Sequence, residues 1–538
     1  MQRRDLLAGL GRGAAALALS ALFTRDAGSG DERAAALSSQ DDPFTLGVAS
    51  GMPRQDSVVL WTRLAPRPHE PLGGLPEAPI RVQWELAEDE RFSIGLRRGD
   101  VLARPEHAHS VHAEVTGLPS GREFFYRFLA GDAASPIGRT RTAPSADAPV
   151  DRLRIALASC QHYEQGAFRL QREIAERDLD FVLFVGDYLY ESSNARYRGR
   201  AHEGPAPTTL DGYRQRHATY KLDPSLRAAH AAHPWVLTWD DHEVENDYAN
   251  DASRRPGVDA RAFLQQRAAA YKAYFEHMPV SPAMRPDGAA MHLHEHFSWG
   301  QLADLWTLDN RQYRSVQACQ SAPTPWRCDT DRGRKILFSG AGGGSFMNPE
   351  EPACRAELAD PARTMLGAEQ EQWLDAAFAE SRATWNLLTQ GIMFVTIRES
   401  WNDSPRIFTD AWAGYPPARE RLLASLARHK TANPVVLTGD IHSFWVNEIA
   451  NAAGRAAGVE LVTSSIATTT SDKTALLPLN PQVRFHEGRH SGYIRCDLDR
   501  GKLRADIVAI DDRLDPRSGR SVLASFEVRA ADPHAHRI

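Results

Sequence analysis

Five short apolar runs in this chain each end in residues able to bind a metal or move a proton. Leu153–Ala158 runs into Ser159-Cys160-Gln161-His162-Tyr163, and Phe181–Val185 into Gly186-Asp187-Tyr188-Leu189-Tyr190-Glu191. Trp235–Trp239 runs into Asp240-Asp241-His242-Glu243-Val244-Glu245-Asn246, Leu305–Leu308 into Asp309-Asn310-Arg311, and Val435–Thr438 into Gly439-Asp440-Ile441-His442. A lone Asp after a strand is ordinarily a helix cap or turn residue, a free Cys is ordinarily a small buried hydrophobe, and Tyr190 alone could be core. Acids and imidazoles at the end of nearly every apolar run are not what solvation alone produces. Because sites in α/β sheets form beyond the carboxyl ends of strands, these tips are expected to converge on one crevice.

The donor types suggest the chemistry. A phenol, with a pKa near about 10, becomes a ligand only to a strongly Lewis-acidic ion, so Tyr190 beside Asp187 favours Fe(III). The thiolate of Cys160 and the imidazole of His442 also suit iron. The carboxylates of Asp241 and Asp440 suggest a second, harder ion with oxygen ligands, Ca²⁺, Mg²⁺ or Mn²⁺, and Asp187 is placed to bridge the two. Two such ions clamp the attacking and leaving oxygens of an in-line displacement at phosphorus, with metal-bound hydroxide as nucleophile. His242 is then expected to protonate the leaving oxygen or bind a phosphate oxygen. Arg311 offers a fork for phosphate, with Asn246 as a second substrate-binding side chain.

Periodicity indicates the scaffold beneath these residues. Between the apolar runs lie amphipathic segments at Ala167–Arg177, Ala262–Phe275, Glu369–Ser381 and Ala418–Arg428. Strands alternating with helices from Asp151 onward predict an α/β domain with covered sheets. Residues 43–147 read instead as all-β: Arg81–Leu86 and Ser110–Val115 alternate as half-buried strands do, and Tyr126 after the turn Gly117–Gly121 resembles the tyrosine corner of β-sandwiches. With 538 residues, more than one core is expected. Lys+Arg total 63 against Asp+Glu 69, so there is no basic surplus for nucleic-acid binding; a small anionic substrate remains compatible.

Arg3-Arg4 followed by an Ala/Leu/Gly-rich stretch to about Phe23 reads as a twin-arginine export signal, with residues 1–42 as signal and flexible segment. No later apolar run is long enough to span a membrane. Export by the twin-arginine machinery to the periplasm or the extracellular space is expected, as is a monomer. Five cysteines, an odd number, leave at least one unpaired; Cys319 with Cys354 is the expected disulfide. The Gly-rich stretch Ser339–Ser345 is expected to be a surface loop.

At these motifs the sequence resembles the alkaline phosphatase D family, the PhoD-like metallophosphatases. The matching stretches are Phe44–Gly51, Val58–Arg63, Gly186–Glu191, Thr238–Asn246, Leu308–Arg314, Arg363–Gly367 and Leu437–His442. The resemblance implies a fibronectin-like β-sandwich followed by a calcineurin-like metallophosphoesterase domain of two β-sheets flanked by helices, over residues 151–538. It implies iron held by Cys160, Asp187, Tyr190 and His442, calcium around Asp187, Asp241 and Asp440, and hydrolysis of phosphate monoesters and diesters at alkaline pH. Gly51-Met52-Pro53 and Asp309-Asn310-Arg311 depart from the family pattern without removing a proposed ligand. A phospholipase-type diesterase on the same site and an exported binding protein that has lost activity are the competing readings.

Overall fold

Leu153–Ala158, Phe181–Val185 and Pro234–Thr238 are almost wholly buried strands. They pair in parallel, Ala156 beside Val182 and Val182 beside Trp235. Strands covered on both faces read as continuous apolar runs, which is why the sequence shows them plainly. The computed structural model describes residues 41–193, 199–319, 346–401 and 403–538; the twin-arginine start, Cys328 and Ser339–Ser345 lie outside them.

Those three strands are the middle of a ten-stranded sheet. On one side it continues through the antiparallel C-terminal strands Gly492–Leu498, Lys502–Ile510, Arg520–Arg529 and Ala535–Arg537. On the other it continues through Val48–Gly51, Val58–Arg63 and Ser110–Val115. A second, seven-stranded sheet has Ala303–Thr307, Trp385–Thr389, Pro434–Thr438 and Ala456–Val462 as its parallel centre. Alternate residues of this sheet face opposite ways. Leu305, Leu387, Val435 and Leu437 join the core shared with the larger sheet. Trp306, Leu388 and Val436 pack under the helices Gly367–Glu380 and Pro416–His429. The sheets are stitched where Ile466 and Ala467 donate to the carbonyls of Ser159 and Cys160.

The N-terminal region is all-β and forms a two-sheet sandwich. Ile80–Ala87, Arg97–Ala103, Glu123–Ala130, Ala133–Ala134 and Gly138–Arg141 make one sheet. It packs on Val48–Gly51, Val58–Arg63 and Ser110–Val115 through Val58, Leu60, Val82, Leu86, Val111, Tyr126 and Phe128. The latter three strands are continuous with the ten-stranded sheet of the α/β region, because Ser50 and Gly51 pair in parallel with Pro234 and Trp235. A sheet therefore runs across the boundary expected near residue 150.

Two helices not expected from periodicity cover the large sheet, Leu210–Lys221 and Pro224–Ala232. Their starts follow ordinary capping chemistry: Thr209 accepts from the Gly212 amide, and Asp223, followed by Pro224, accepts from Ser225 and Leu226. Cys319 and Cys354 are joined by a disulfide. No helix among the described residues is long and apolar enough to cross a membrane.

Candidate metal centre

Every proposed ligand sits on the first residues past a strand. Cys160 follows Leu153–Ala158, Asp187 and Tyr190 follow Phe181–Val185, and Asp241 follows Pro234–Thr238. Asp440 and His442 follow Pro434–Thr438 in the other sheet. The backbone there is unusual. Cys160, Asp187, Asp440 and His442 all have positive φ, at 59°, 57°, 67° and 53°, a region costly for side chains other than glycine. The chain thus turns sharply at these polar residues as the strands end. Gly186 makes one such turn possible: at φ 100° a Cβ would lie 2.5 Å from the Cβ of Asp240.

The side chains meet. The Tyr190 hydroxyl donates to Asp187 Oδ2 at 2.9 Å and lies 2.9 Å from His442 Nε2. Cys160 Sγ is 3.4 Å from the same Asp187 oxygen. Cys160, Asp187 and His442 form one cluster whose donor atoms lie within 4.8 Å of one another, and Asp187, Asp241 and His242 form a second. Asp187 belongs to both. Asp440 falls outside both clusters, although its Oδ2 is buried and without a hydrogen-bond partner; its carbonyl lies 3.8 Å from Cys160 Sγ.

These donors fit a pair of cations. Asp187 Oδ1, Asp241 Oδ1 and Asp440 Oδ2 are buried carboxylate oxygens with no hydrogen-bond partner, an arrangement proteins otherwise avoid. Burial, then Asp241, Asp240 and Glu243, push Asp187 well above the usual carboxylate range against the pull of His242. Burial, then Asp240 and Asp241, do the same to Asp440. Burial and the charge of Asp187 raise the Cys160 thiol and the Tyr190 phenol. Acids crowded in this way without a countercharge are the ligand set a cation would ionise.

Neighbouring groups fix the arrangement. Glu243, fully buried, accepts from the amides of Asp187, Tyr188 and Asp240 at 3.2, 2.6 and 2.9 Å, tying two strand-end loops together. Glu191 accepts from His242 Nδ1 at 2.6 Å, which leaves Nε2 as the nitrogen available to a ligand. Burial opposes charge on His242, but Glu191, Asp241 and Asp187 raise its pKa well above the ordinary value. The His242 ring also lies against Tyr190, centroids 4.1 Å apart. Glu191 and Glu243 both lie within strand-tip motifs, but residue type alone gave neither a role. Their signal was spacing: Glu191 follows Tyr190 directly, and Glu243 stands two residues after Asp241.

Arg311 is placed differently from the expected phosphate clamp. It is completely buried and bonds Asp240 and Asp410, the latter at 2.8 Å, with Asp241 3.8 Å from its third nitrogen. With Nε and one terminal nitrogen bonded to carboxylates, only the buried third nitrogen lacks a hydrogen-bond partner, so the guanidinium offers no two-pronged fork. It instead holds Asp241 in its ionised form: burial would raise that carboxyl, yet Arg311 and His242 lower it. Asp410, which no sequence signal singled out, also binds Arg314 and Gln317. Asn246 is exposed, and its backbone amide donates to Glu191 at 3.1 Å.

Comparison with known proteins agrees over nearly the whole length. A family model described as PhoD-like phosphatase matches residues 155–507, and one described as PhoD-like phosphatase, N-terminal domain, matches residues 30–144. Alkaline phosphatase D of Bacillus subtilis (strain 168) is 39% identical over 539 residues, covering 97% of this chain and 87% of that protein. A solved structure of PhoD superposes with a TM-score of 0.84 at 38% identity, covering 94% of this chain and 93% of the other.

Proposed function

Since the chain belongs to the PhoD-like phosphatase family and is a phosphoric ester hydrolase, we propose that it cleaves both phosphate monoesters and diesters at the cluster centred on Asp187. The observation that carries this reading is the position of Asp187 in both ligand clusters, with a free buried oxygen. Fe³⁺ is the ion we assign to Cys160, Asp187, Tyr190 and His442. A second, harder ion is assigned to Asp187, Asp241 and Asp440, with Ca²⁺ first and Mg²⁺ or Mn²⁺ as alternatives. When bound, the two ions neutralise phosphoryl charge and lower the pKa of water.

The chain's own residues do the rest. Glu191 takes the Nδ1 proton of His242 as a hydrogen bond, orients the ring, and supports its positive charge. As a water oxygen forms its bond to phosphorus and the ester phosphorus–oxygen bond breaks, His242 Nε2 gives a proton to the leaving oxygen. Arg311 keeps Asp241 ionised and fixed from behind. We further propose export by the twin-arginine route, so that the folded enzyme works in the periplasm or outside the cell.

Protein purified from an export-competent host tests this by elemental analysis and a panel of mono- and diester substrates. Active enzyme without either iron or calcium sinks the ion assignment. Metal-loaded enzyme inert toward both ester classes sinks the substrate assignment.

A further inference from the structure

Helix Leu210–Lys221 carries no ligand, yet one of its faces touches three of the loops that do. Tyr213, Arg216 and Tyr220 stand three and four residues apart, which places them on one stripe of a helix. All three are buried, at 0%, 1% and 0% exposure. The Tyr213 hydroxyl donates to the Val244 carbonyl at 2.6 Å, within the loop that carries Asp241 and His242. The Tyr220 hydroxyl accepts from the amides of Tyr163 and Tyr190, both at 3.0 Å. Those two amides belong to the Cys160 and Asp187 loops.

Arg216 completes the grip. One terminal nitrogen donates to the carbonyls of both Tyr190 and Glu191, and the other to Pro205 at 3.1 Å. Tyr190 therefore has its amide held by Tyr220 and its carbonyl by Arg216, from one helix face. The two residues gripped by Arg216 point to opposite tasks: Tyr190 to Asp187 and His442, Glu191 to His242. A buried guanidinium bonded only to backbone carbonyls is costly to desolvate, and Nε finds no partner at all.

We propose that Arg216 is a positioning residue for the hydrolytic reaction, setting the Tyr190 phenol and the Glu191–His242 pair in register through their shared backbone, with Tyr220 as its helper. This rests on the site assigned above. Arg216 touches neither substrate nor ion and acts only through the two side chains it aligns. A lysine in its place lacks the second terminal nitrogen that anchors the guanidinium plane to the Pro205 carbonyl, so its single ammonium is not fixed in the orientation that reaches the Tyr190 and Glu191 carbonyls together.

The test is a double-mutant cycle on the metal-loaded enzyme: wild type, Arg216→Lys, Glu191→Gln and the pair, with p-nitrophenyl phosphate as substrate. Metal content, melting temperature and the visible absorption of a phenolate bound to Fe(III) are recorded beside kcat and KM. Arg216→Lys is expected to fold, to lose about tenfold or more in kcat with KM within about twofold, and to shift or weaken the phenolate band. In the Glu191→Gln background the further loss should shrink to under about threefold, as coupled sites do. Losses that simply multiply, or a variant with wild-type kcat and band, overturn the proposal. Should Arg216→Lys fail to fold, Tyr220→Phe decides by the same band and kcat: a change supports the proposal and none overturns it. A wild type lacking activity and metal defeats the functional assignment itself, whereas an active wild type with indifferent variants defeats only the role of Arg216.

Discussion

Asp187 takes left-handed backbone at φ 57°, a conformation that Asn tolerates as well as Asp does. Asp187→Asn therefore removes the shared charge without forcing the turn to rearrange. We expect kcat/KM to fall by about a hundredfold or more and iron retention to fall with it, while the fold persists; steady-state kinetics and elemental analysis check both, and undiminished activity would remove Asp187 from the centre. Arg311 makes the opposite kind of prediction. Arg311→Met strips the buried Asp240 of its guanidinium partner and leaves Asp410 paired with Arg314 alone, which should cost about 3–5 kcal/mol in denaturant unfolding. A variant with intact stability and only a raised KM would instead return Arg311 to holding phosphate. The residue type was readable from sequence as a phosphate binder because a guanidinium after a strand looks the same whether its fork faces substrate or carboxylates. Asp410 lies on a different segment from the strand-tip motifs, so nothing local announced the pairing.

At the scale of elements, what was legible is what burial makes uniform. The expected strand Phe181–Val185 and the observed one coincide, and Ala262–Phe275 appears as Ala260–His277. Helix Leu210–Lys221 was not legible, because the side chains it buries include Arg214, Arg216, His217 and Lys221 and periodicity counts only apolar ones. The seam between the N-terminal sandwich and the sheet behind it was hidden for a related reason: it includes a buried histidine bonded to an arginine. His233 is fully buried there, its Nδ1 accepting from Arg139 at 3.2 Å and its Nε2 facing the Ile174 carbonyl at 3.0 Å. Burial, then Arg139, lower its pKa to about 4, against about 6.5 in an unfolded chain. The unfolded state thus takes the proton first. The contribution of neutral His233 is complete above pH ~6.5 and is lost as pH falls from there toward 4, amounting to about 3 kcal/mol. His233→Gln keeps a donor and an acceptor but cannot titrate. Its stability should fall less steeply than wild type between pH 7 and 4 in parallel melts, and identical slopes would exclude His233 as the source.

For the whole molecule, the centre lies where the two sheets meet: Cys160, Asp187, Tyr190 and Asp241 come from the ten-stranded sheet, Asp440 and His442 from the seven-stranded one. Ions held there bind the folded chain and not the unfolded one, since the ligands are distant in sequence. Their stabilisation follows mass action, about 4 kcal/mol when free ion exceeds its Kd a thousandfold. Chelation should therefore abolish hydrolysis and lower the melting temperature together, and returning the ions should restore both. The effect should also be local. Without cations the donors from the two sheets lose the bonds that tie them together at this junction, so amide exchange should quicken in the loops after Phe181–Val185 and Pro434–Thr438. The sandwich core around Val58, Val82 and Phe128 makes no contact with those donors and should keep its protection. Calorimetry with and without chelator, paired with hydrogen exchange, separates this from general loosening: uniform loss of protection, or an unchanged melting temperature in inactive chelated enzyme, would mean that the ions serve the chemistry without joining the sheets.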